Sequence, residues 1–379
     1  MLKFLSAGES HGKCLTGILD GFPAGITIDT KFINAELAKR QLGFGRGGRM
    51  RIECDRITIN SGVRKKITIG SPISFCIRNK DFSINSLPEI HNVRPGHADL
   101  AGLLKYSRDD ARDILERASA RETAVRVAAG AFCKLLLAEL SISVFSHVVC
   151  IGNISANCSK LTLEEIKERQ KISPLRCADL NAEKKMQKEI NGAFSSGDSL
   201  GGCCEIIAVN VPVGLGSHTQ WDRKLDALIA RAMMSINAIK CVSIGSGDSS
   251  YKLKGSRAHD EILFSKDNCS RAGGYYRKTN NAGGIEGGIS NGEPVSVKIF
   301  MKPIPTLAKP LNTINVKTHK ITKASKERSD CCAVPSAGII GESMLSFVLA
   351  DEIIKKFGGD SIAEIKNNFN EYIIRLGCR

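Results

Sequence analysis

The sequence contains no apolar run long enough to cross a membrane and no C-x-x-C pair among its 14 cysteines. A transmembrane helix needs about 20 predominantly apolar residues, and zinc ribbons and thioredoxin-like sites depend on paired cysteines. These absences argue against all three classes, and no membrane contact and no metal site are predicted. The N-terminal stretch MLKFLSAGESHG has one lysine and too short an apolar segment for a signal peptide. We expect a cytoplasmic protein whose scattered cysteines are reduced thiols.

Nucleotide-binding signatures and aromatic residues are also scarce. No Walker A loop is present, and no G-x-G-x-x-G motif joins a predicted strand to a predicted helix. There is no self-similarity at a period of about 20–50 residues, which argues against a repeat protein. Aromatic residues make up 5% of the chain, with one tryptophan. Platforms on which nucleic-acid bases could stack are therefore few.

What the sequence does have is the composition of a large globular protein. Its 379 residues are 42% hydrophobic and 25% charged, and a chain of this size buries roughly three quarters of its unfolded surface. Strand patterns alternate with helix patterns, which is typical of an α+β fold. Residues 155–196 are the most polar region and predict a peripheral helical segment, whereas residues 341–357 predict a buried closing helix. A single domain over residues 1–379 is expected.

The formal net charge of +15 has three interpretations. A field of that sign attracts nucleic acid, a membrane surface or a small polyanionic substrate. The basic residues punctuate glycine-rich loops and helix starts instead of forming one tail, and this favours a pocket over an extended stripe. The Arg/Gly-rich stretch 40–51 keeps RNA binding open as an alternative.

The longest predicted helix lies in the second half of residues 94–140. Apolar residues recur at three- and four-residue spacing between 114 and 136, which predicts one continuous helix. From Ala124 onward it is apolar nearly all round, which is typical of a buried helix.

Two arginines on this predicted helix indicate an anion site. Arg117 and Arg121 would lie one turn apart, a spacing at which like charges repel by roughly 0.2–0.5 kcal/mol. Pairing of Asp113 with Arg117, and of Glu122 with Arg126, would still leave Arg121 without a partner. His97, just upstream, favours a functional site over simple internal pairing.

Further candidates lie in glycine-bounded loops. The GESHG turn at residues 8–12 holds Ser10 and His11 between glycines that permit a positive φ and close ligand approach. Histidine is the side chain best suited to proton transfer near neutral pH. The stretch 40–51 carries Arg40, Arg46 and Arg49, whose forked guanidinium groups match phosphate and carboxylate.

Two other stretches have competing interpretations. The glycine- and asparagine-rich residues 270–292 indicate either hairpin turns or close backbone approach to a ligand. His147 alternates within the predicted strand 142–151, and we interpret it as a packed core residue.

Seven short motifs together resemble the chorismate synthase family. In chain order they are GESHG, RPGHAD, ERASARET with RVAAGA, SINAIK, NNAGGIEGGISNG, KPIPT and R-x-D. The resemblance covers essentially the whole chain. It implies a lyase that eliminates phosphate and a ring hydrogen from 5-enolpyruvylshikimate 3-phosphate to give chorismate. It also implies a need for reduced FMN without net redox change.

The resemblance assigns roles to particular residues. The catalytic group would be His11 as the acid towards phosphate, His97 near the flavin, Asp330 as the base and Ser10 as its relay partner. The substrate's phosphate and carboxylates would be bound by Arg49, Arg94, Arg121 and Arg328, and either the substrate or NADPH by Arg40 and Arg46. FMN would contact Arg117, Ala118, Ser119, Asn237, Ala238, Gly287, Lys302, Pro303, Ile304, Pro305, Thr306 and Arg328.

The resemblance also implies a fold, an assembly and two departures. The family fold is a β-α-β sandwich with helices packed between antiparallel sheets, and the family is typically a homotetramer. The usual R-H-D-P-C stretch here has Ser329 and Cys331 in place of His and Pro, and the usual double serine is Ala118-Ser119. These changes affect loop rigidity and a backbone contact, and they leave Asp330 in place.

Overall fold

The structure is a computed structural model that describes residues 1–45, 53–266, 272–327 and 330–377. Its first strands are β1 (Lys3–Ala7), β2 (Cys14–Asp20), β3 (Ile57–Ile59), β4 (Val63–Arg64), β5 (Ile67–Thr68), β6 (Ile73–Arg78), β7 (Ser143–Ile151), β8 (Ile154–Ser155) and β9 (Gly202–Val209). The later strands are β10 (Ile239–Ile244), β11 (Ile262–Phe264), β12 (Tyr275–Arg277), β13 (Ile285–Glu286), β14 (Ile289–Ser290), β15 (Val295–Met301), β16 (Asn312–Ile314) and β17 (Ile321–Lys323).

The helices alternate with these strands. They are α1 (Thr30–Gln41), α2 (Asp99–Tyr106), α3 (Arg112–Ala118), α4 (Thr123–Ala138), α5 (Leu163–Ile172), α6 (Leu180–Ser196), α7 (Leu225–Met234), α8 (Gly255–Ala258), α9 (Val334–Phe357) and α10 (Ile362–Gly377). Single turns of 3-10 helix occupy Ala120–Glu122, Trp221–Arg223 and Ser250–Lys252.

Two antiparallel sheets enclose a layer of helices. One sheet has the order β1-β2-β6-β3 and the other the order β10-β15-β9-β7-β8. Helix α4 packs against β2 of the first sheet and against α9, which in turn packs against β7 and β9 of the second. Because both helices are apolar on nearly every side, each is stable only when covered on both faces. The predicted α+β sandwich is therefore confirmed.

The two central helices approach closely at a glycine. A Cβ atom built at Gly130 on α4 would lie 2.3 Å from the Cβ of Ser343 on α9 and 2.8 Å from its carbonyl oxygen. Real Cβ atoms do not come that close to backbone, so any larger residue at position 130 pushes the helices apart.

We expect Gly130→Ala to lower the free energy of unfolding by about 2 kcal/mol, within the range for overpacked cores. This loss opposes the roughly 1 kcal/mol by which alanine ordinarily favours a helix. The matched control is Gly192→Ala on α6, where nothing lies within 4 Å of the added Cβ, so stability should rise or stay level. Urea unfolding midpoints of the two variants measure the difference, and equal midpoints would contradict the close-packing argument.

The prediction of one continuous helix over residues 114–136 is wrong. Helix α3 ends at Ala118, because Ser119 takes an extended conformation (φ −62°, ψ 142°) and its side chain accepts a hydrogen bond from Arg121 N. Serine favours such cap positions. The break sends Arg117 and Arg121 in different directions: Arg117 donates to the carbonyl oxygens of Ser6 and Gly8 on the exposed side, and Arg121 is buried.

The C-terminal prediction is incomplete. The buried helix begins seven residues earlier than expected, at Val334, and α10 follows it. The sequence of α10 is amphipathic, with Ile362, Ile365 and Phe369 buried. Gly358 and Gly359, both at positive φ, end the preceding helix.

The predicted polar segment and the glycine-rich stretch both acquire definite structure. Residues 155–196 carry α5 and α6, and α6 buries Met186 and Ile190 in the main core. Residues 285–290 form a hairpin whose two loop residues, Gly287 and Gly288, both have positive φ, as a type I′ turn requires. The hairpin interpretation is therefore correct for this part of the stretch.

Two further observations concern the thiols and the membrane. Every cysteine in the described ranges is a free thiol. Over the same ranges, no helix combines the length and apolar character that crossing a bilayer requires.

Candidate active site

A cleft of about 600 Å³ lies at the N-terminal ends of α4 and α9. Its other walls include the segment before β10, the segment after β15, the turn between β1 and β2 and the segment before α2, so distant parts of the chain meet there. Helix N-termini carry partial positive charge and favour anions. A larger cavity of about 970 Å³, beside Phe4 and Phe347, has none of the predicted site residues among its described lining residues.

His11 enters the cleft from the turn between β1 and β2. Its backbone N–H donates to Glu116 Oε2 at 2.7 Å, and its Nδ1 lies 2.9 Å from Glu116 Oε1. Asn79 fixes the same turn by donating to the carbonyl oxygens of Glu9 and Gly12. The imidazole is 15% exposed, so it is accessible but held in place.

His97 enters the cleft from the segment just before α2. Its Nδ1 lies 2.5 Å from Asp99 Oδ1 and 3.1 Å from Arg94 Nη2. A guanidinium only donates and one ring nitrogen cannot both donate and accept, so the shorter contact makes Nδ1 the protonated nitrogen. Burial would raise the pKa of Asp99, but hydrogen bonds from His97 and Arg94, with their charges, lower it well below its usual range.

Arg94 is largely engaged by its neighbours. Its backbone N and Nε donate to Asp99 Oδ2 at 3.0 and 2.8 Å, and its Nη1 donates to Thr306 Oγ1 at 3.0 Å. The residue is 7% exposed. Arg94 therefore organises His97 and the predicted cofactor segment at the same time.

Arg121 has partners, so the expectation of an unpaired cation is wrong. Its Nη1 donates to Asp55 Oδ1 at 2.5 Å, and its Nε donates to Asn79 at 2.9 Å. Arg40 donates to the other oxygen of Asp55 at 2.8 Å. Burial alone would raise the pKa of Asp55, but the two arginines lower it. Asp113 pairs with Arg108 and not with Arg117, whereas the predicted pair of Glu122 and Arg126 is present.

The remaining predicted catalytic residues also border the cleft. Ser10 and Asp330 both line it, and Ser10 is buried with its backbone N–H donating to Glu116 O at 2.9 Å. Arg46, Arg49 and Arg328 lie outside the described residues.

The predicted cofactor contacts divide into two groups. Arg117, Pro303 and Gly287 do not line the cleft; Gly287 is at the exposed tip of the β13–β14 hairpin. The residues that do line it are Ala118, Ser119, Asn237, Ala238, Lys302, Ile304, Pro305 and Thr306.

The segment before β10 has two unusual features. Among the described residues, the buried Oδ1 of Asn237 has no hydrogen-bond partner, while its Nδ2 donates to Ala118 O. Ala238 has φ +65°, a conformation that costs a non-glycine residue roughly 1–2 kcal/mol. An orphaned buried acceptor beside a strained residue is typical of a ligand site.

Sequence reasoning missed the carboxylates that hold the site together. Glu116 fixes His11, Asp99 fixes His97, and Asp55 joins Arg40 to Arg121. For Asp99 a signal existed, since it stands two residues after His97. Glu116 and Asp55 are far in sequence from their partners, and no local pattern distinguishes them.

Comparisons of the sequence and the structure with known proteins agree on one family. The family model for chorismate synthase matches residues 2–354. Chorismate synthase of Alkaliphilus metalliredigens is 52% identical over 98% of this chain and 99% of its own length, and that of Geobacter sulfurreducens is 50% identical over 98% of each. A solved crystal structure of chorismate synthase has a TM-score of 0.81 and 41% identity, covering 100% of this chain and 99% of that one. The chain therefore belongs to the chorismate synthase family, the lyases of the shikimate pathway that serve aromatic amino acid biosynthesis.

Proposed function

We propose that the cleft binds 5-enolpyruvylshikimate 3-phosphate beside reduced FMN and eliminates phosphate and a ring hydrogen to give chorismate. The observation that carries the proposal is the convergence of His11, His97 and Asp330, from three distant segments, on one cleft. Two of these are histidines whose Nδ1 is occupied by a carboxylate. Nε2 of His11 is therefore left for chemistry, whereas Nε2 of His97 also lies 3.5 Å from Arg94 Nη2.

The residues of the cleft fit a flat heteroaromatic ring. Its walls include the apolar side chains of Leu115, Ile236, Ile304 and Ile340, as is usual for cofactor sites. The unpartnered Oδ1 of Asn237 offers an acceptor to a ring N–H. The residues proposed to hold FMN here are Ala118, Ser119, Asn237, Ala238 and the run Lys302–Thr306. When bound, the reduced flavin supplies electron density that helps phosphate leave and a non-acidic ring hydrogen depart.

The side chains divide the proton transfers between them. His11 acts as the acid towards the departing phosphate, because its Nε2 is the ring nitrogen left free by Glu116. His97 protonates or stabilises the reduced ring, and Asp330 with Ser10 accepts a proton on another side of the cleft. Each positioned transfer contributes typically ~10²–10⁴-fold.

Arg40, Arg94 and Arg121 are proposed to contact the substrate's anionic groups. Within the described residues their charge is largely compensated by Asp55 and Asp99, so they act as rigid hydrogen-bond donors more than as free cations. The Nη2 of Arg121 has no hydrogen-bond partner in the described ranges, and its charge is compensated by Glu53, whose Oε2 lies 3.7 Å away. Arg46, Arg49 and Arg328 are proposed to complete the set, and Arg117 and Gly287 stay predicted FMN contacts.

The assembly and setting are also proposals. A single domain over residues 1–379 is supported by one core cluster that spans both sheets. A homotetramer is supported by exposed apolar side chains on the β11–β12 hairpin, among them Ile262, Phe264 and Tyr275. A cytoplasmic location is supported by the free thiols in the described ranges. The RNA-binding alternative has no support from the matched family.

The test is an anaerobic assay of the purified chain with 5-enolpyruvylshikimate 3-phosphate and chemically reduced FMN. Chorismate absorbance and phosphate release should rise together, and oxidised FMN should give neither. A third arm with NADPH and oxidised FMN decides whether Arg40 and Arg46 serve an intrinsic flavin reductase. Folded protein that forms no chorismate with reduced FMN would overturn the proposed function.

A further inference from the structure

One buried carboxylate beside His11 has no role in the proton transfers proposed for the reaction. Glu116 is on the last turn of α3, and its side chain is 1% exposed. Three contacts tie it to the turn that carries His11. The backbone N–H of His11 donates to Oε2 at 2.7 Å, His11 Nδ1 lies 2.9 Å from Oε1, and Ser10 N donates to Glu116 O at 2.9 Å.

These contacts determine which nitrogen of His11 carries the proton. Burial alone would raise the pKa of Glu116, but the hydrogen bonds and charge of His11, with the charge of Arg112, lower it. An ionised carboxylate only accepts hydrogen bonds. Its two oxygens lie 2.9 and 3.1 Å from Nδ1, so Nδ1 must be the donor in every protonation state of His11.

Glu116 is itself anchored on its far side. Arg112 Nη1 lies 3.5 Å from Glu116 Oε1, and Arg112 Nη2 donates to Glu327 at 3.3 Å. Glu327 lines the cleft three residues before Asp330. The same arginine thus connects the turn of His11 to the segment that leads to the proposed base.

We propose that Glu116 is the positioning residue for His11, holding Nδ1–H and the backbone N–H together so that only Nε2 faces the reacting groups. This inference rests on the proposed function for its kinetic consequence, but the orientation of His11 can be measured without turnover. A carboxylate with a purely structural role would need only its contact with the backbone N–H of His11. The contact of Glu116 with Nδ1 of the imidazole is the one that selects the tautomer.

Several other charged residues lie near His11 in the chain or line the cleft with it. Its own turn carries Glu9 and Lys13, and α3 carries Arg112 and Glu116. The other cleft walls carry the acidic residues Asp81, Glu327 and Asp330, together with Arg40, Arg94, His97, Arg121, Lys240 and Lys302. Among these residues, only Glu116 has a described hydrogen bond to the imidazole. Changing it should therefore affect His11 more than changing any of the others.

The test compares Glu116→Gln with wild type in the anaerobic assay, over a range of pH. Glutamine keeps the size and an acceptor for the backbone N–H, but it no longer requires Nδ1 to be the donor. We expect kcat to fall roughly 10- to 100-fold, part of the contribution of a positioned acid, with KM changed less than threefold. The ring should also lose its preference for the tautomer with Nδ1 protonated, because glutamine can donate to Nδ1 as well as accept from it.

The matched control is Glu205→Gln, which changes the carboxylate 2.9 Å from His147 Nε2 on the five-stranded sheet. This variant should keep the wild-type kcat. ¹⁵N spectra of histidine-labelled protein without flavin give an independent measurement, with His11→Asn used to assign the signal. Wild type should show Nδ1 protonated, and Glu116→Gln should show a mixture of tautomers.

The outcomes distinguish the positioning role from the proposed function. If wild type makes no chorismate, the proposed function fails while the tautomer result still decides the orientation. If wild type is active and Glu116→Gln has the same kcat and the same tautomer as wild type, the positioning role is wrong. Lower stability alone, with kcat and the tautomer unchanged, would also overturn it, because it would show a purely structural carboxylate.

Discussion

His11→Asn should lower kcat by ~10²–10⁴-fold, the contribution of a positioned general acid, while the protein stays folded. Asparagine is chosen because its side-chain N–H can still donate to Glu116, as His11 Nδ1 does at 2.9 Å. The buried carboxylate therefore keeps a partner, and the fold is spared the cost of an unpaired charge. What asparagine lacks is a nitrogen that gives up a proton near neutral pH. The measurement is kcat with 5-enolpyruvylshikimate 3-phosphate and chemically reduced FMN.

The control is the same substitution at the other buried histidine–glutamate pair. His147 on β7 lies 2.9 Å from Glu205, is 2% exposed and does not line the cleft. His147→Asn should retain kcat within about threefold, since it touches no reacting group. Wild-type turnover in His11→Asn would remove this histidine from the mechanism, and equal losses in both variants would mean that the effect is structural.

The contrast between these two histidines shows what the sequence could predict. His147 stands in an alternating strand and was predicted, correctly, to be a packed residue. His11 stands in a turn bounded by glycines that permit close ligand approach, so a functional role is favoured. The alternation of apolar residues and the residue types of a turn are local properties, so a single sequence is enough to recognise them.

Partners distant in the chain were not predictable in the same way. Arg121 was expected to lack a carboxylate, yet Asp55, 66 positions earlier, contacts it at 2.5 Å. The helix break at Ser119 turns Arg121 towards that partner, and an apolar pattern that continues through the break conceals it. The charge of the cleft is set by such pairs, so net charge alone overstated how many free cations the site contains.

The glycine-rich stretches illustrate a related limit. Their composition allowed both hairpin turns and ligand contact, and residues 285–290 form a hairpin. The break between α9 and α10 at Gly358 and Gly359 similarly looked like the end of the structured chain. Glycine marks where the backbone changes direction, but it does not indicate whether a strand, a helix or a loop comes next.

The layer of helices contains a buried ion-pair network centred on Lys134. Lys134 on α4 donates to Glu36 on α1 and to Glu342 on α9, each at 2.6 Å. Burial lowers the pKa of Lys134, but the two carboxylates outweigh burial and raise it. Conversely, burial raises the pKa of Glu36, but Lys134 and Lys39 outweigh it and lower that pKa to about 2. One cation thus joins three helices of the middle layer.

Lys134→Met should lower the free energy of unfolding by about 3 kcal/mol, the low end of the range for breaking a buried ion pair. The low end applies because Glu36 keeps Lys39 and Glu342 keeps Arg176. Lys39→Met is the matched control: it removes the other lysine of Glu36, whose side chain is 47% exposed, and it should cost less than about 1 kcal/mol. Urea unfolding at neutral pH measures both, and equal losses would refute the distinction.

The same network gives the stability of wild type a definite acid dependence. Because the pKa of Glu36 falls from 4.5 to about 2 on folding, its ionised form stabilises the native state above pH 4.5, and this contribution is lost as the pH falls towards 2. In Lys134→Met the folded-state pKa of Glu36 should return towards its ordinary value. The reason is that Lys134 lowers this pKa more than Lys39 does. The difference in unfolding free energy between wild type and Lys134→Met should therefore shrink between pH 5 and pH 3. A difference that stays constant over that interval would mean that the loss comes from packing, and that the charge of Lys134 contributes nothing through Glu36.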